Sequence, residues 1–258
     1  MIIDTHCHLD NIKYKDDLND VLERSKKVGV HKFIIPAADP QDLAKAIELS
    51  ENNENIYFAI GIHPYNIDDW NDEIFQFTNH KKCVGIGECG LDYFRLPENT
   101  NEKNRVIELQ KDIFRRQIRI AKKLKKPLII HIRDSSEDAK QILIEENAKE
   151  VGGVLHCFNA DETLLELSNH NFYFGIGGVL TFKNAKKLVN ILPRIPRDKL
   201  VVETDSPYLT PHPHRGKRNE PSYTKLVAEK MAEILSVSIQ EISDLTFKNS
   251  TKLFHLDV

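Results

Sequence analysis

Eight times along the chain, a short run rich in Ile, Val, Phe and Leu gives way to a longer stretch with helical spacing and polar punctuation. The runs cover residues 2–5, 32–36, 56–61, 83–88, 127–131, 152–157, 172–177 and 200–204. Between two of them, Val106, Leu109, Ile113, Phe114, Ile118, Ala121 and Leu124 recur mostly at three and four residues, which predicts an amphipathic helix over 106–124. Strands alternating with helices imply a parallel sheet, because a parallel neighbour is reached only through a crossover and a right-handed helical crossover supplies it. Eight repeats in 258 residues therefore predict an α/β fold, a (β/α)8 TIM barrel, followed by two further helices over 223–254. A doubly wound open sheet is the other way to arrange the same units.

A prior of roughly one domain per 150 residues leaves the chain between one domain and two. No linker, low-complexity tract or long charge run divides it, so residues 1–258 read as a single domain. Thirty-six Lys and Arg against 39 Asp and Glu give a net charge of −3, so no global positive field draws the molecule to nucleic acid or membrane, and any basic contact surface must be local. The cluster of Lys122, Lys123, Lys125 and Lys126 reads as a solvated helix end beside the negative terminus of the helix dipole. No apolar run approaches the roughly 18 residues of a membrane span. Asp4, His6, His8 and Asp10 stand where a signal peptide would need its basic start and apolar run, so a cytoplasmic protein, by default a monomer, is expected. Cys7, Cys83, Cys89 and Cys157 form no CxxC pair and no disulfide framework, and read as reduced thiols.

Function in a parallel barrel lies at the carboxyl ends of the strands, so polar residues there carry the most information. The first strand ends in Asp4-Thr5-His6-Cys7-His8, the fourth in Glu88, the fifth in His131, the sixth in His156 and the eighth in Glu203-Thr204-Asp205. Alternation puts His6 and His8 on one face and Cys7 on the other. The same parity puts Asp4 beneath His6, suited to accept a ring N–H, with Glu203 in the same relation to Asp205. A lone histidine at a strand end is usually packing, but four histidines and two carboxylates on five strand ends point to a divalent metal. Imidazoles with carboxylates suit Zn²⁺, Mn²⁺ or Mg²⁺ without choosing among them. Six donors exceed what one tetrahedral ion with an open position needs, so a two-metal site is expected, with Glu88 as the natural bridge. Cys7, Cys89 and Cys157 directly follow donor residues, and parity turns them toward the outer helices. A Ser/His/Asp triad lacks both a GxSxG elbow and a strand-end serine other than Ser206 beside Asp205.

These residues resemble the TatD family of metal-dependent hydrolases, within the amidohydrolase-like barrels. The resemblance spans the chain and rests on Ile2-Ile3-Asp4-Thr5-His6-Cys7-His8-Leu9-Asp10, Gly61-Ile62-His63-Pro64, Gly85-Ile86-Gly87-Glu88-Cys89-Gly90-Leu91-Asp92, Pro127-Leu128-Ile129-Ile130-His131-Ile132-Arg133, Leu155-His156-Cys157-Phe158 and Val202-Glu203-Thr204-Asp205-Ser206-Pro207, in that order. The segment Pro213-His214-Arg215-Gly216-Lys217-Arg218-Asn219-Glu220-Pro221 looks like the family's loop after the eighth strand. Ser135 stands where the family often has Ala or Thr. The resemblance implies a dinuclear site in which His6, His8, Glu88 and Asp205 hold one ion and Glu88, His131 and His156 the other. It also implies 3′ to 5′ exonuclease action on DNA, and places His63 against the substrate or its phosphate.

Phosphodiester hydrolysis needs a nucleophile at neutral pH and neutralisation of phosphoryl charge, and two ions supply both. Asp205 and Glu88 are the expected catalytic residues, Asp205 orienting the attacking water or taking its proton. Arg133, two residues beyond His131, and the loop carrying His212, His214, Arg215, Lys217 and Arg218 offer the local positive charge that a phosphate needs. Tyr65, Trp70, Tyr93, Phe94 and Tyr208 follow strands and could stack on bases, although packing is the simpler role. His31, His80, His170 and His255 fall away from strand ends and read as structural. An amidohydrolase or a D-aminoacyl-tRNA deacylase could use similar metal sites, but dinuclear amidohydrolases commonly bridge their ions with a carboxylated lysine, where this chain offers Glu88. A non-catalytic barrel that binds nucleic acid and uses metal only for folding is the reading from outside enzymology.

Overall fold

A computed structural model describes residues 1–257 of the chain. Each of the eight apolar runs forms a strand: β1 Ile2–Asp4, β2 Val30–Ile35, β3 Ile56–Ile60, β4 Cys83–Asp92, β5 Leu128–Arg133, β6 Gly153–Leu155, β7 Phe172–Ile176 and β8 Leu200–Val202. They pair in parallel in chain order from β1 to β8. The first strand returns to the last where the Thr5 N–H donates to the Val202 carbonyl at 3.2 Å and Cys7 forms a bridge with Ser206. The sheet thus curls into a (β/α)8 barrel rather than staying open.

Two apolar clusters follow from the alternation of side chains. Ile3, Ile34, Ala59, Val84, Ile129, Val154, Tyr173 and Val201, one from each strand, fill the interior together with Leu253, Phe254 and Leu256 from the chain's end. The opposite faces, among them Phe33, Phe58, Ile130 and Val202, pack outward against the helices. The crossovers are α1 Leu18–Lys27, α2 Leu43–Asn52, α3 Thr100–Leu124, α4 Ser136–Glu145 and α5 Lys186–Ile191. Two crossovers are instead built on 3₁₀ turns, at Asp72–Asn79 and Glu162–His170, each started by an Asx cap from Asn71 or Asp161. The expected pair of terminal helices is α6 Thr224–Leu235 and α7 Ile239–Phe254, the latter opened by a Ser238–Glu241 capping box.

Helix α3 begins six residues before the periodic stretch, because Asn99 caps the N–H groups of Asn101 and Glu102. Of the four lysines near its end, Lys122 donates to the Glu146 carbonyl and Lys126 to the Cys83 carbonyl, tying the helix to the end of α4 and the start of β4. No helix among the described residues is long and apolar enough to cross a membrane.

Candidate metal centre

One layer above the apolar interior the same strands turn polar. His131 lies two residues beyond Ile129, His156 two beyond Val154, and Glu203 two beyond Val201, so each inherits the inward direction of the residue below it. Glu88, buried at the bulged centre of β4, is the hub. Its Oε2 lies 3.3 Å from His6 Nε2, while its Oε1 lies 3.0 Å from His131 Nδ1, 3.2 Å from His156 Nε2 and 3.5 Å from His63 Nε2. On the His6 side, Asp205 Oδ1 stands 3.3 Å from His8 Nε2 and 3.8 Å from His6 Nε2. The rings of His6 and His156 stack at 3.7 Å. The five strand ends therefore do meet in one pocket.

Comparison with known proteins decides what family this is. The family model described as TatD related DNase matches residues 3–255. The chain belongs to the TatD family. It is 43% identical to the metal-dependent hydrolase YabD of Bacillus subtilis (strain 168), covering 100% of both chains. It is 38% identical to the metal-dependent hydrolase YcfH of Escherichia coli (strain K12), covering 99% of this chain and 96% of that one. Among solved structures, the TatD homologue YJJV of Escherichia coli K12 superposes with a TM-score of 0.89 at 27% identity, covering 99% and 98% of the two chains. The molecule is accordingly a metal-dependent hydrolase of the TatD family.

The pocket fits a TatD metal centre on its own chemistry. Four ring nitrogens crowd one carboxylate, and a neutral imidazole offers only one N–H. His131 shows the difficulty most clearly: its Nε2 is bound to Asp92 Oδ2 at 2.8 Å, which favours the proton there and turns the Nδ1 lone pair on Glu88. Both ring nitrogens of buried His6 lack a hydrogen-bond partner, as does Nδ1 of His156. Such crowding is relieved by cations, either protons or metal ions between the rings and the acid. Against the cost of burial, Glu88 with Asp92 or Glu203 holds protons on His131 and His156 above the ordinary imidazole value. Three donor sets are close enough to share an ion: His6 with His8 and Asp205, His63 with Glu88 and His131, and His6 with His156 and Glu203. The second set brings in His63, at 3.5 Å the farthest of the four imidazoles from Glu88 but still within reach of a shared ion.

Burial alone would raise the carboxyl of Glu88, but positive charge on His156, His6 and His63 when they are protonated, with the hydrogen bond from His131, outweighs it and holds it well below the usual range. Desolvation lowers His63 to about 4, so its ring is neutral near pH 7. For His8, desolvation opposes the charge, yet Asp205 wins and raises it to about 9.

The supporting residues sit differently from the sequence expectation. Asp4 does not lie under the His6 ring. It accepts from the His6 backbone N–H at 3.3 Å and from the N–H and hydroxyl of Thr204 at 3.0 and 2.6 Å. The chain bends at Thr5 and His6, which breaks the alternation: Ile3 faces the interior and Cys7 the outer cluster, though an unbroken strand would put both on one face. Glu203 backs His156 rather than Asp205, with Oε1 3.3 Å from His156 Nδ1 and accepting the Cys157 N–H at 2.5 Å. A Cβ at Gly175 would collide with the Glu203 carboxylate, so glycine there makes the space the acid fills. Cys89 packs outward as expected, but Cys157, at φ +45°, lines the cleft above the site, its thiol pushed up to about 12 by burial.

That cleft, about 510 Å³, opens over His131, His156 and Asp205 and is walled by Arg133, Asn159, Lys187 and Tyr208. A larger cleft of about 850 Å³ adjoins it but contains none of the site histidines, and Asp134, Glu137, Asp138, Asp161 and Glu162 line it. Arg215 is outside both: it donates to the Thr210 carbonyl at 2.7 Å and lies 3.9 Å from the Phe182 ring. Arg218 is spent on Asp17, at 2.8 and 2.6 Å, and the His214 ring stacks on Tyr223 at 4.5 Å. The loop after β8 thus supplies less free positive charge than its sequence suggests. His31 lies near the start of β2, His80 packs on Phe58, His170 ends a 3₁₀ turn and His255 follows α7, all away from the pocket.

Three contributors escape the sequence reading. Asp92, which holds His131, lies four residues past Glu88 on a strand that runs further than its apolar run suggests. Gln110 and Gln117, two turns apart on the buried face of α3, each grip one backbone position. Gln110 pairs with the Asp92 N–H and carbonyl at 2.9 and 3.0 Å, and Gln117 with those of Ile62 at 2.8 and 3.0 Å. Their position within the apolar stripe was the available signal, because a glutamine there must find partners.

Proposed function

We propose that this TatD-family hydrolase is a dinuclear phosphodiesterase that degrades DNA from the 3′ end. The observation that carries the reading is the position of Glu88, one carboxylate oxygen facing His6 and the other facing His131 and His156. His6, His8, Glu88 and Asp205 would hold one divalent ion, and Glu88, His131 and His156 the other. Ions held there lower the pKa of water and neutralise charge developing on phosphoryl oxygens.

The chain's own groups supply position and proton traffic. Asp205, beside His8 at the mouth, orients the attacking water or takes its proton. His63, neutral near pH 7, meets the phosphate as a hydrogen-bond donor rather than as a charge. Arg133 and Lys187 on the cleft wall balance substrate phosphates. Asp92 and Glu203 fix the rings of His131 and His156. The family description as a DNase supports the choice of substrate, whereas the curated relatives' names go only as far as metal-dependent hydrolase.

The deciding experiment loads the chelated protein with Zn²⁺, Mn²⁺ or Mg²⁺ and offers end-labelled oligonucleotides, small phosphate esters, amides and D-aminoacyl esters. Oligonucleotide shortening from the 3′ end, abolished by chelation and restored by metal, is expected, with two equivalents of metal bound per chain. Turnover confined to amides or aminoacyl esters would refute the assignment. A single bound equivalent at full activity would remove the bridging role of Glu88.

A further inference from the structure

Among the described residues, Phe94, Tyr208 and Tyr65 are 57, 46 and 42% exposed, and all three stand on loops that leave site-bearing strand ends. Phe77 is the other largely exposed aromatic, and it sits in the 3₁₀ crossover before β4. Each of the three rings at the mouth carries a cation. The Arg133 guanidinium lies 3.6 Å from the Phe94 centroid, Arg95 lies 5.1 Å from Tyr65, and Lys13 Nζ lies 5.2 Å from Tyr208. The top rung of the sheet sets the first pair, since Asp92 pairs with Arg133 and the Tyr93 N–H donates to the Arg133 carbonyl at 2.9 Å.

Two of the rings also touch the site. Tyr65 stands edge-on to His63 at 4.9 Å, and Tyr208 edge-on to His8 at 5.9 Å, its hydroxyl held by Asn11 at 3.2 Å. None of the three cations has a carboxylate within ion-pair distance among the described residues, so their charge stays free for an anion. A cation over an exposed ring helps to hold it in place, through an attraction worth about 0.5–1 kcal/mol in water. A small amide substrate has no use for three such pairs around one opening. A strand whose bases are unpaired has both matching parts: flat faces that stack on rings, and phosphates between them that meet the cations.

Resting on the phosphodiesterase reading, we propose that Phe94–Arg133, Tyr65–Arg95 and Tyr208–Lys13 form a collar around the mouth that grips unpaired nucleobases together with their intervening phosphates. Bases enter as stacking faces, without being read by identity. The collar discriminates against duplex, whose paired bases present no free face.

The test uses the full metal-loaded chain and phosphorothioate octamers that resist hydrolysis: one of thymidines, one abasic with the same charge. Fluorescence anisotropy is expected to show the thymidine octamer bound about tenfold tighter, within the range of base–aromatic stacking. Phe94→Ala is expected to erase most of that difference, Phe94→Tyr to restore it, and Tyr65→Ala to act in the same direction. Arg133→Ala is expected to weaken both octamers and make the salt dependence shallower by about one contact. Equal binding of the two octamers, or no loss on removing Phe94 and Tyr65, overturns the collar even if the enzyme cleaves DNA. If the wild-type protein binds bases through these rings but hydrolyses no phosphodiester, the collar stands and the proposed reaction falls.

Discussion

The lower and upper layers of this barrel come from the same strands, yet they are held by opposite physics. Below, one apolar side chain per strand packs under the end of α7, and each buried Ile or Val contributes about 1.5–3 kcal/mol through the water it sheds. Above, two residues on, imidazoles and acids face one another with unpartnered nitrogens. The lower layer is satisfied by its own packing, whereas the upper layer is complementary to a ligand the chain itself cannot provide. Stability and chemistry are therefore separable within a distance of two residues.

Paired substitutions on β5 test that separation most sharply. His131→Ala is expected to remove several kcal/mol of transition-state stabilisation, about a thousandfold in turnover, while the melting temperature of the chelated protein moves little. Ile129→Ala should do the reverse, lowering the unfolding free energy by about 2–5 kcal/mol while turnover per folded molecule stays within about twofold. Both are read from a thermal melt, a urea titration and an activity assay; matched losses in both variants would show that the layers are not independent.

Chelation probes the upper layer alone. Metal at a hundred times its dissociation constant is expected to add about 2.7 kcal/mol of stability, so stripping it should lower the thermal midpoint reversibly. An unchanged midpoint would mean that the facing lone pairs find relief within the protein.

The seam between the layers and the surrounding helices is tested by Gln110→Leu. The change leaves the buried N–H and carbonyl of Asp92 without partners, a loss of about 1–3 kcal/mol. Turnover should fall with it through the loosened hold on His131, and a drop in stability with unaltered turnover would confine Gln110 to the scaffold.

The smallest effect is expected outside the donor sets, at Glu220 and Arg24. Burial would raise the Glu220 carboxyl, but the hydrogen bonds from Arg24, at 2.7 Å, and Ser222 hold it below its ordinary value. A folded-state pKa below the unfolded one contributes stability that is fully present above about pH 4.3 and is lost as pH falls through the folded value. Arg24→Gln should therefore destabilise by up to ~1 kcal/mol at pH 7, since Arg24 is 44% exposed and solvent screens the pair. The gap to wild type should close in acid, and a gap that widens there would reverse the sign.

How much was legible in the sequence follows the same division. Strands were legible because a buried parallel strand is a nearly continuous apolar run, and the polar residues that end those runs stood out against it. What depended on unbroken alternation was not. The bend at Thr5 and His6 moved Asp4 to Thr204, and the left-handed turn at Cys157 brought that thiol into the cleft. Asp92 was hidden by ending the fourth strand at Glu88, four residues early. The crossovers at Asp72–Asn79 and Glu162–His170 carry helical spacing, but over eight or nine residues that spacing does not distinguish a 3₁₀ from an α path. Charges in the loop after β8 read as available because a sequence does not show that Asp17 already claims Arg218.

Gly175 offers a last consequence. It has no side chain to titrate or to bind, yet the notch it leaves in β7 gives the Glu203 carboxylate its place, 3.3 Å from Nδ1 of the His156 ring. Filling that notch with one methyl group would drive the Glu203 carboxylate from its place behind His156, so the geometry of the centre depends on a residue that carries no donor atom of its own.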